Sequence, residues 1–214
     1  EVKSVDTIAL SLFGRCAQVA REFLGISIDT GQILTLEKFV DEYEASRLAT
    51  PLSNILVGRH YEIASVLEKI NHYQITIITG VPGVGKSRLV VEALKIMGNE
   101  PYEMTVLCIT NKNVLINDDL RIYLAEDKPY LIFIDDANRQ SSNFLSLLSI
   151  LKEKRKYPIK IVITVRDYAL KGIVAECHGI ENILLPLQKL SYETIEQILK
   201  APTFNITNHK YVRR

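Results

Sequence analysis

Gly80-Val81-Pro82-Gly83-Val84-Gly85-Lys86-Ser87 is the stretch that decides the fold. It satisfies the pattern GxxxxGK[ST] in full. Ile75 to Thr79, immediately before it, is a run rich in β-branched residues and reads as a buried strand. Lys86 to Met97, immediately after it, has a helical pattern that Gly98-Asn99 closes. Strand, glycine loop and helix start in that order predict a phosphate cradle. The glycines allow backbone angles that turn successive N–H groups inward, and the helix N-terminus adds its partial positive charge. Lys86 is expected to place a cation over the β- and γ-phosphates, and Ser87 to offer its hydroxyl to Mg²⁺. Pro82 stiffens the loop, and Arg88 completes the cofactor-binding set of residues 80–88.

Working outward, hydrophobic segments alternate between the two periods. Strands are expected at Glu103–Thr110, Leu131–Ile134, Ile159–Val165 and Asn182–Leu187, in addition to the one at Ile75. Helices are expected at Asn113–Ala125, Ser141–Lys154, Tyr168–Cys177 and Ser191–Lys200. This alternation predicts an α/β fold, a parallel five-stranded sheet of the P-loop NTPase type with helices on both faces. A small α-helical segment precedes it. Val5–Leu24 reads as an amphipathic helix, and a second starts at Thr35 with Leu36, Phe39, Val40 and Tyr43 inward. Proline and small polar residues in Ala49-Thr50-Pro51-Leu52-Ser53-Asn54 mark a boundary. The expected organisation is a connector at 1–50, a nucleotide-binding domain at 51–200 and the start of a lid or tail at 201–214.

A P-loop needs a partner acid. Leu131-Ile132-Phe133-Ile134-Asp135-Asp136 supplies two, at the carboxyl end of a buried strand, where ligands of open parallel sheets bind. Asp135 is expected to hold Mg²⁺ through water, beside the Ser87 hydroxyl, and Asp136 to orient or deprotonate the attacking water. The alternative is that both merely cap the helix that follows. Lys160 to Arg166 is a strand ending in arginine. Arg166 is expected either to reach the γ-phosphate or to pair with Asp167 or another nearby acid.

Composition bounds the rest. The 214 residues are 47% hydrophobic, enough for a packed core. Lys plus Arg number 26 against 25 Asp plus Glu, so no global charge draws the chain to nucleic acid or to a membrane surface. Cys16, Cys108 and Cys177 are far apart and read as buried or incidental thiols of a reducing compartment. No apolar run approaches the roughly 20 residues of a membrane span, and no secretory signal is recognised, so a cytoplasmic protein is expected. The chain opens without methionine at Glu1 and reads as a fragment.

Taken together, these segments resemble the STAND class of P-loop ATPases over about residues 55–200. Ile55-Leu56-Val57-Gly58-Arg59-His60-Tyr61-Glu62 resembles the hhGRxxE segment of that class. Gly80–Ser87 matches its Walker A, Asp135-Asp136 its Walker B, and Thr164-Val165-Arg166 its sensor arginine. Leu184–Leu187 with Leu190-Ser191 resembles the entry to the lid. The resemblance implies that Val57, Gly58 and Arg59 border the adenine and that the cofactors are ATP or ADP with Mg²⁺. It also implies a module that rests with ADP and self-associates with ATP to drive an attached effector. Many prokaryotic members are antiviral sensors. The class is expected to turn ATP over weakly through Lys86, Asp136 and Arg166.

An AAA+-type motor or replication loader is the alternative, although such proteins usually carry Glu where this chain has Asp136. The basic run Lys152 to Lys156 reads as a solvated helix end rather than a nucleic-acid contact. Replacing Lys86 with alanine is expected to remove most ATP affinity while leaving the circular-dichroism spectrum unchanged. Undiminished binding would refute the phosphate site.

Overall fold

The computed structural model describes residues 30–45, 52, 56, 58–110, 112 and 116–200. The expectations for Val5–Leu24, Val57, Cys16, most of the 49–54 boundary and the 201–214 tail lie outside these residues. In chain order the elements are β1 (Ile33–Leu34), α1 (Leu36–Ala45), α2 (His60–His72), β2 (Ile75–Gly80), α3 (Lys86–Met97), β3 (Thr105–Ile109) and α4 (Asn117–Tyr123). There follow β4 (Tyr130–Ile134), α5 (Ser141–Ile150), β5 (Lys160–Arg166), α6 (Leu170–Glu176), β6 (Asn182–Pro186) and α7 (Tyr192–Lys200). Short 3₁₀ turns at Ala137–Arg139 and Asp167–Ala169 follow β4 and β5.

The five expected strands form and are parallel, within one or two residues of their expected ends. A sixth, β1, runs antiparallel on the outer edge of β3, giving the order β1-β3-β4-β5-β2-β6. The sheet therefore has six strands, not five. The helix expected to Lys154 ends at Ile150, and α4 spans Asn117–Tyr123, with positions 113–115 of its expected range outside the described residues. The segment His60–His72 is helical, although the spacing of its apolar residues went unread in the sequence. The basic run after α5 is tied down structurally. Arg155 donates to the carbonyls of Leu124 and Glu126, and the backbone N–H of Lys156 donates to Asp127.

Successive side chains along the strands face opposite sides of the sheet, and both sides are covered. Ile132 and Ile134 of β4 face a core built with Leu120, Phe144, Leu147 and Ile173, from α4, α5 and α6. Leu131 and Phe133 face the opposite core, built with Phe39, Val66, Ile70, Leu89 and Leu94, from α1, α2 and α3. Strands buried on both faces explain why these segments read as continuous apolar runs. Cys108 and Cys177 are buried free thiols, as expected of incidental cysteines. Among the described residues no helix is long and apolar enough to cross a membrane.

Two contacts fix helices relative to the sheet. Lys160, at the start of β5, donates from Nζ to the carbonyls of Ile70 and Asn71 at 2.6 and 2.7 Å, closing the C-terminus of α2. Phe39 of α1, only 5% exposed, packs edge-on against Phe133 with ring centroids 5.5 Å apart. The described part of the N-terminal segment is thus packed on the sheet that carries the acid strand. Truncating Phe39 to alanine is expected to lower unfolding free energy by about 3 kcal/mol through loss of this buried ring, read from urea denaturation. A loss below about 1 kcal/mol would mean that α1 is not seated on β4.

Candidate nucleotide site

The strand order places β5 between the P-loop strand β2 and the acid strand β4. Gly80 is paired with Arg166 and Ile134 with Ile163, so Asp135 follows in register beside Thr164. The carboxyl ends of three adjacent strands therefore deliver the loop, the hydroxyl and the acid to one spot.

The loop has the expected form. Gly85 caps α3 with φ 96 and ψ 22, an angle pair that a side chain would strain, and no side chain occupies the cap. The first N–H groups of α3 are thereby left without a side-chain cap, as an anion site requires. Val81, Pro82 and Gly83 are exposed, while Val84 is buried. Lys86 is only 7% exposed. Its Nζ folds back onto the carbonyls of Gly80 and Val81 at 2.9 and 3.2 Å. Burial pushes its pKa down, while Asp136, Asp135 and Asp167 oppose that shift.

Asp135 is the centre of the polar network. Its Oδ1 accepts the Ser87 hydroxyl at 2.7 Å and the Thr164 hydroxyl at 2.6 Å. Thr164 in turn accepts the backbone N–H of Asp136 at 2.8 Å, so both its donor and an acceptor position are committed. Gln140 Nε2 donates to the Asp135 carbonyl at 2.9 Å. Burial raises the Asp135 pKa, and the hydrogen bonds from Thr164 and Ser87 pull the other way.

Ser87 and Asp135 are hard oxygen donors, the type Mg²⁺ takes. No group of three or more His, Cys, Asp or Glu that suits a metal exists among the described residues. The remaining positions around Mg²⁺ would have to come from phosphate oxygens and water, which fits a metal that arrives with nucleotide.

The other expected residues fall in different places. Arg166 is closed on Asp136, with Nη2–Oδ2 at 2.8 Å and Nε–Oδ1 at 3.4 Å, so the nearby-acid alternative describes the observed contact. Asp136 itself sits in the left-handed region at φ 47 and ψ 53, a costly placement of a kind that recurs at functional sites. Arg59 is 4% exposed, and its guanidinium spans three segments. It bonds Glu62 at 2.6 Å, the P-loop carbonyl of Val84 at 3.1 Å and the carbonyl of Gln188 at 2.9 Å. Its observed contacts thus brace the loop from behind. Thr194 of α7 packs so closely on Gly58 that a Cβ there would lie 2.3 Å from its methyl group. Arg88 turns away to the carbonyl of Leu52 and to Glu92.

Sequence reasoning missed Thr164 as a site residue in its own right, along with Gln140 and the Thr79–Asp167 hydrogen bond of 2.7 Å. The available signal was a lone hydroxyl, Thr164, inside the apolar run of β5.

No protein-family model matches the chain, and no curated protein matches it in sequence. Among solved structures the chain is similar to Hsp104 in a closed state with ATPγS and FITC-casein, with TM-score 0.57 and 13% identity. That match covers 78% of this chain and 32% of the Hsp104 chain. A RuvB mutant from Thermotoga maritima matches with TM-score 0.49 and 18% identity, over 68% of this chain and 51% of that one. The chain thus spans about half the length of the RuvB chain and about a third of Hsp104. The likeness to Hsp104 is one of fold, and the fold is that of the P-loop NTPases.

Because the folded pKa of Asp135 is raised, its ionisation costs folding free energy. That cost is absent below the unfolded carboxyl pKa and grows to full size as pH rises through the folded one. In buffer with EDTA and no nucleotide, Asp135→Asn is therefore expected to melt no lower than wild type at pH 7.5. The difference between the two should shrink on acidification toward pH 4. A variant clearly less stable at neutral pH would contradict this account.

Proposed function

We propose that the chain binds ATP and ADP with Mg²⁺ and acts as the switch module of a STAND-type ATPase. Its nucleotide state would govern self-association and, through it, an attached effector in prokaryotic defence or signalling. The observation that carries the nucleotide reading is the convergence of Lys86, Ser87 and Asp135 at the carboxyl edge of a parallel sheet. In this reading the loop N–H groups and Lys86 hold phosphate, and Ser87 and Asp135 hold the metal. The metal's contribution is to neutralise charge on the phosphates. The fold shared with Hsp104, solved with ATPγS, supports the same reading.

The pairing of Asp136 with Arg166 supports a switch over a motor. Asp136 is engaged by two N–H groups of the guanidinium and must leave that pair before it can orient water, so slow turnover follows. Arg166 has two possible anionic partners, Asp136 as observed and a terminal phosphate, and exchange between them would give the site two states. Opening the pair would also free Asp136 to orient water. An AAA+-type motor or loader remains the competing reading on the same fold, and it requires sustained hydrolysis.

Denaturing the purified protein and identifying released nucleotide by chromatography tests the proposal. Light scattering of the native protein with ADP and then with ATP completes the test. Retained ADP, larger particles with ATP and little phosphate release are expected. Rapid continuous phosphate release would turn the reading to a motor, and failure to bind either nucleotide would remove both.

A further inference from the structure

Arg59 ties together two segments that are distant in sequence. Its Nη2 donates to the carbonyl of Val84, inside the P-loop, at 3.1 Å, and to that of Gln188, just past β6, at 2.9 Å. A guanidinium Nη carries two hydrogens, so the two carbonyls take both. Nη1 is held at 2.6 Å by Glu62, one turn along α2, and α2 is itself seated in the core through Val66 and Ile70. The guanidinium therefore reaches the loop and the exit of β6 from a fixed base.

The bond to Val84 sets the direction of a neighbouring donor. The carbonyl of Val84 and the N–H of Gly85 belong to one trans peptide unit, so they point opposite ways. With the carbonyl drawn to Arg59, the Gly85 N–H points away from it. The guanidinium charge also polarises that peptide and strengthens its N–H as a donor. Gly85 is the N-cap of α3, so this N–H stands next to the uncapped N–H groups of the first helical turn. At the other end, the exit of β6 is bound at the same place. Leu187 donates its N–H to the Thr79 carbonyl at 2.8 Å, and a Cβ on Gly80 would lie 2.8 Å from the Leu187 carbonyl. A few residues further on, Thr194 of α7 packs on Gly58, the chain neighbour of Arg59.

We infer that Arg59 is a positioning residue for the phosphates: it aims the Gly85 N–H into the cradle and makes that aim depend on where residues 187–194 lie. This inference rests on the nucleotide reading of the site. Displacing α7 draws Gln188 from the guanidinium, frees the Val84 peptide to turn and weakens phosphate binding. Phosphate bound in the loop holds α7 in place to the same extent, because linkage is reciprocal. Arg59 acts here from behind the loop, not on the base that its likeness to the hhGRxxE segment implies.

Inorganic tripolyphosphate, which has no base, separates the two roles. Arg59→Met keeps the aliphatic stem and removes the donors. Calorimetric titrations are made in Mg²⁺ buffer at a temperature where circular dichroism shows both proteins folded. The affinities for tripolyphosphate and for ADP are both expected to fall about five- to fiftyfold, the range of a site-to-site coupling. Amide exchange of Tyr192–Lys200 is expected to slow when tripolyphosphate saturates wild type, and not to slow when it saturates Arg59→Met. Loss of ADP affinity with tripolyphosphate affinity unchanged assigns Arg59 to the base and overturns the inference, and so does no loss for either ligand. Equal slowing in both proteins overturns it as well. So does absence of slowing in wild type, a measurement that decides even where Arg59→Met does not fold. Failure of wild type to bind either ligand overturns the nucleotide reading itself.

Discussion

One carboxylate oxygen organises this molecule. Asp135 Oδ1 receives hydroxyl protons from Ser87 and Thr164, residues 48 and 29 positions away in the chain. Those two bonds join the loop after β2 and the end of β5 to the acid that follows β4. Two O–H donors aimed at one buried oxygen stabilise its ionised form, yet burial still raises its pKa. Ionising Asp135 therefore costs folding free energy that the two donors offset only in part. Stability given up at a site in this way is a common accompaniment of function.

The parts of the fold that were legible in the sequence are those with a local physical signature. Gly80–Ser87 announced itself because the glycine spacing, the lysine and the hydroxyl each have a separate reason to be there. Strands β2, β3, β4 and β5 showed as apolar runs because both faces of each are covered, whereas β6, at the edge, contributes only Leu185 to the core. Strand β1 was invisible for the opposite reason: two residues, Ile33-Leu34, are too few to show a period. In α2 the spacing is present but sparse: only Val66 and Ile70 of its 13 residues are buried.

Side-chain partners were less legible than elements. The sequence placed Asp135, Asp136 and Arg166 at strand ends, and the structure brings all three together. Which of them bond depends on register: β5 lies beside β4 and β2, so Arg166 and Asp136 extend from neighbouring strands. Periodicity tells which face a residue takes, not which strand lies alongside. The same limit hid the bracing role of Arg59, whose acceptors Val84 and Gln188 lie 25 and 129 positions away.

The strand order has a consequence for how the protein comes into being. The P-loop strand β2 is an interior strand, and both its neighbours are made late: Ile75 pairs with Ile161 on one side and with Asn182 on the other. During synthesis β2 and its glycine loop leave the ribosome early, with an apolar strand and neither parallel partner. Contacts of such wide sequence separation form slowly, and the unpaired strand is open to wrong associations while it waits. The phosphate cradle, braced by Arg59 against Gln188, is completed only when residues beyond β6 have emerged. A nascent chain stalled before that point would display the whole Walker sequence without its bracing. Nucleotide capture is thus a late event in the life of the polypeptide, even though its signature appears in the first half of the chain.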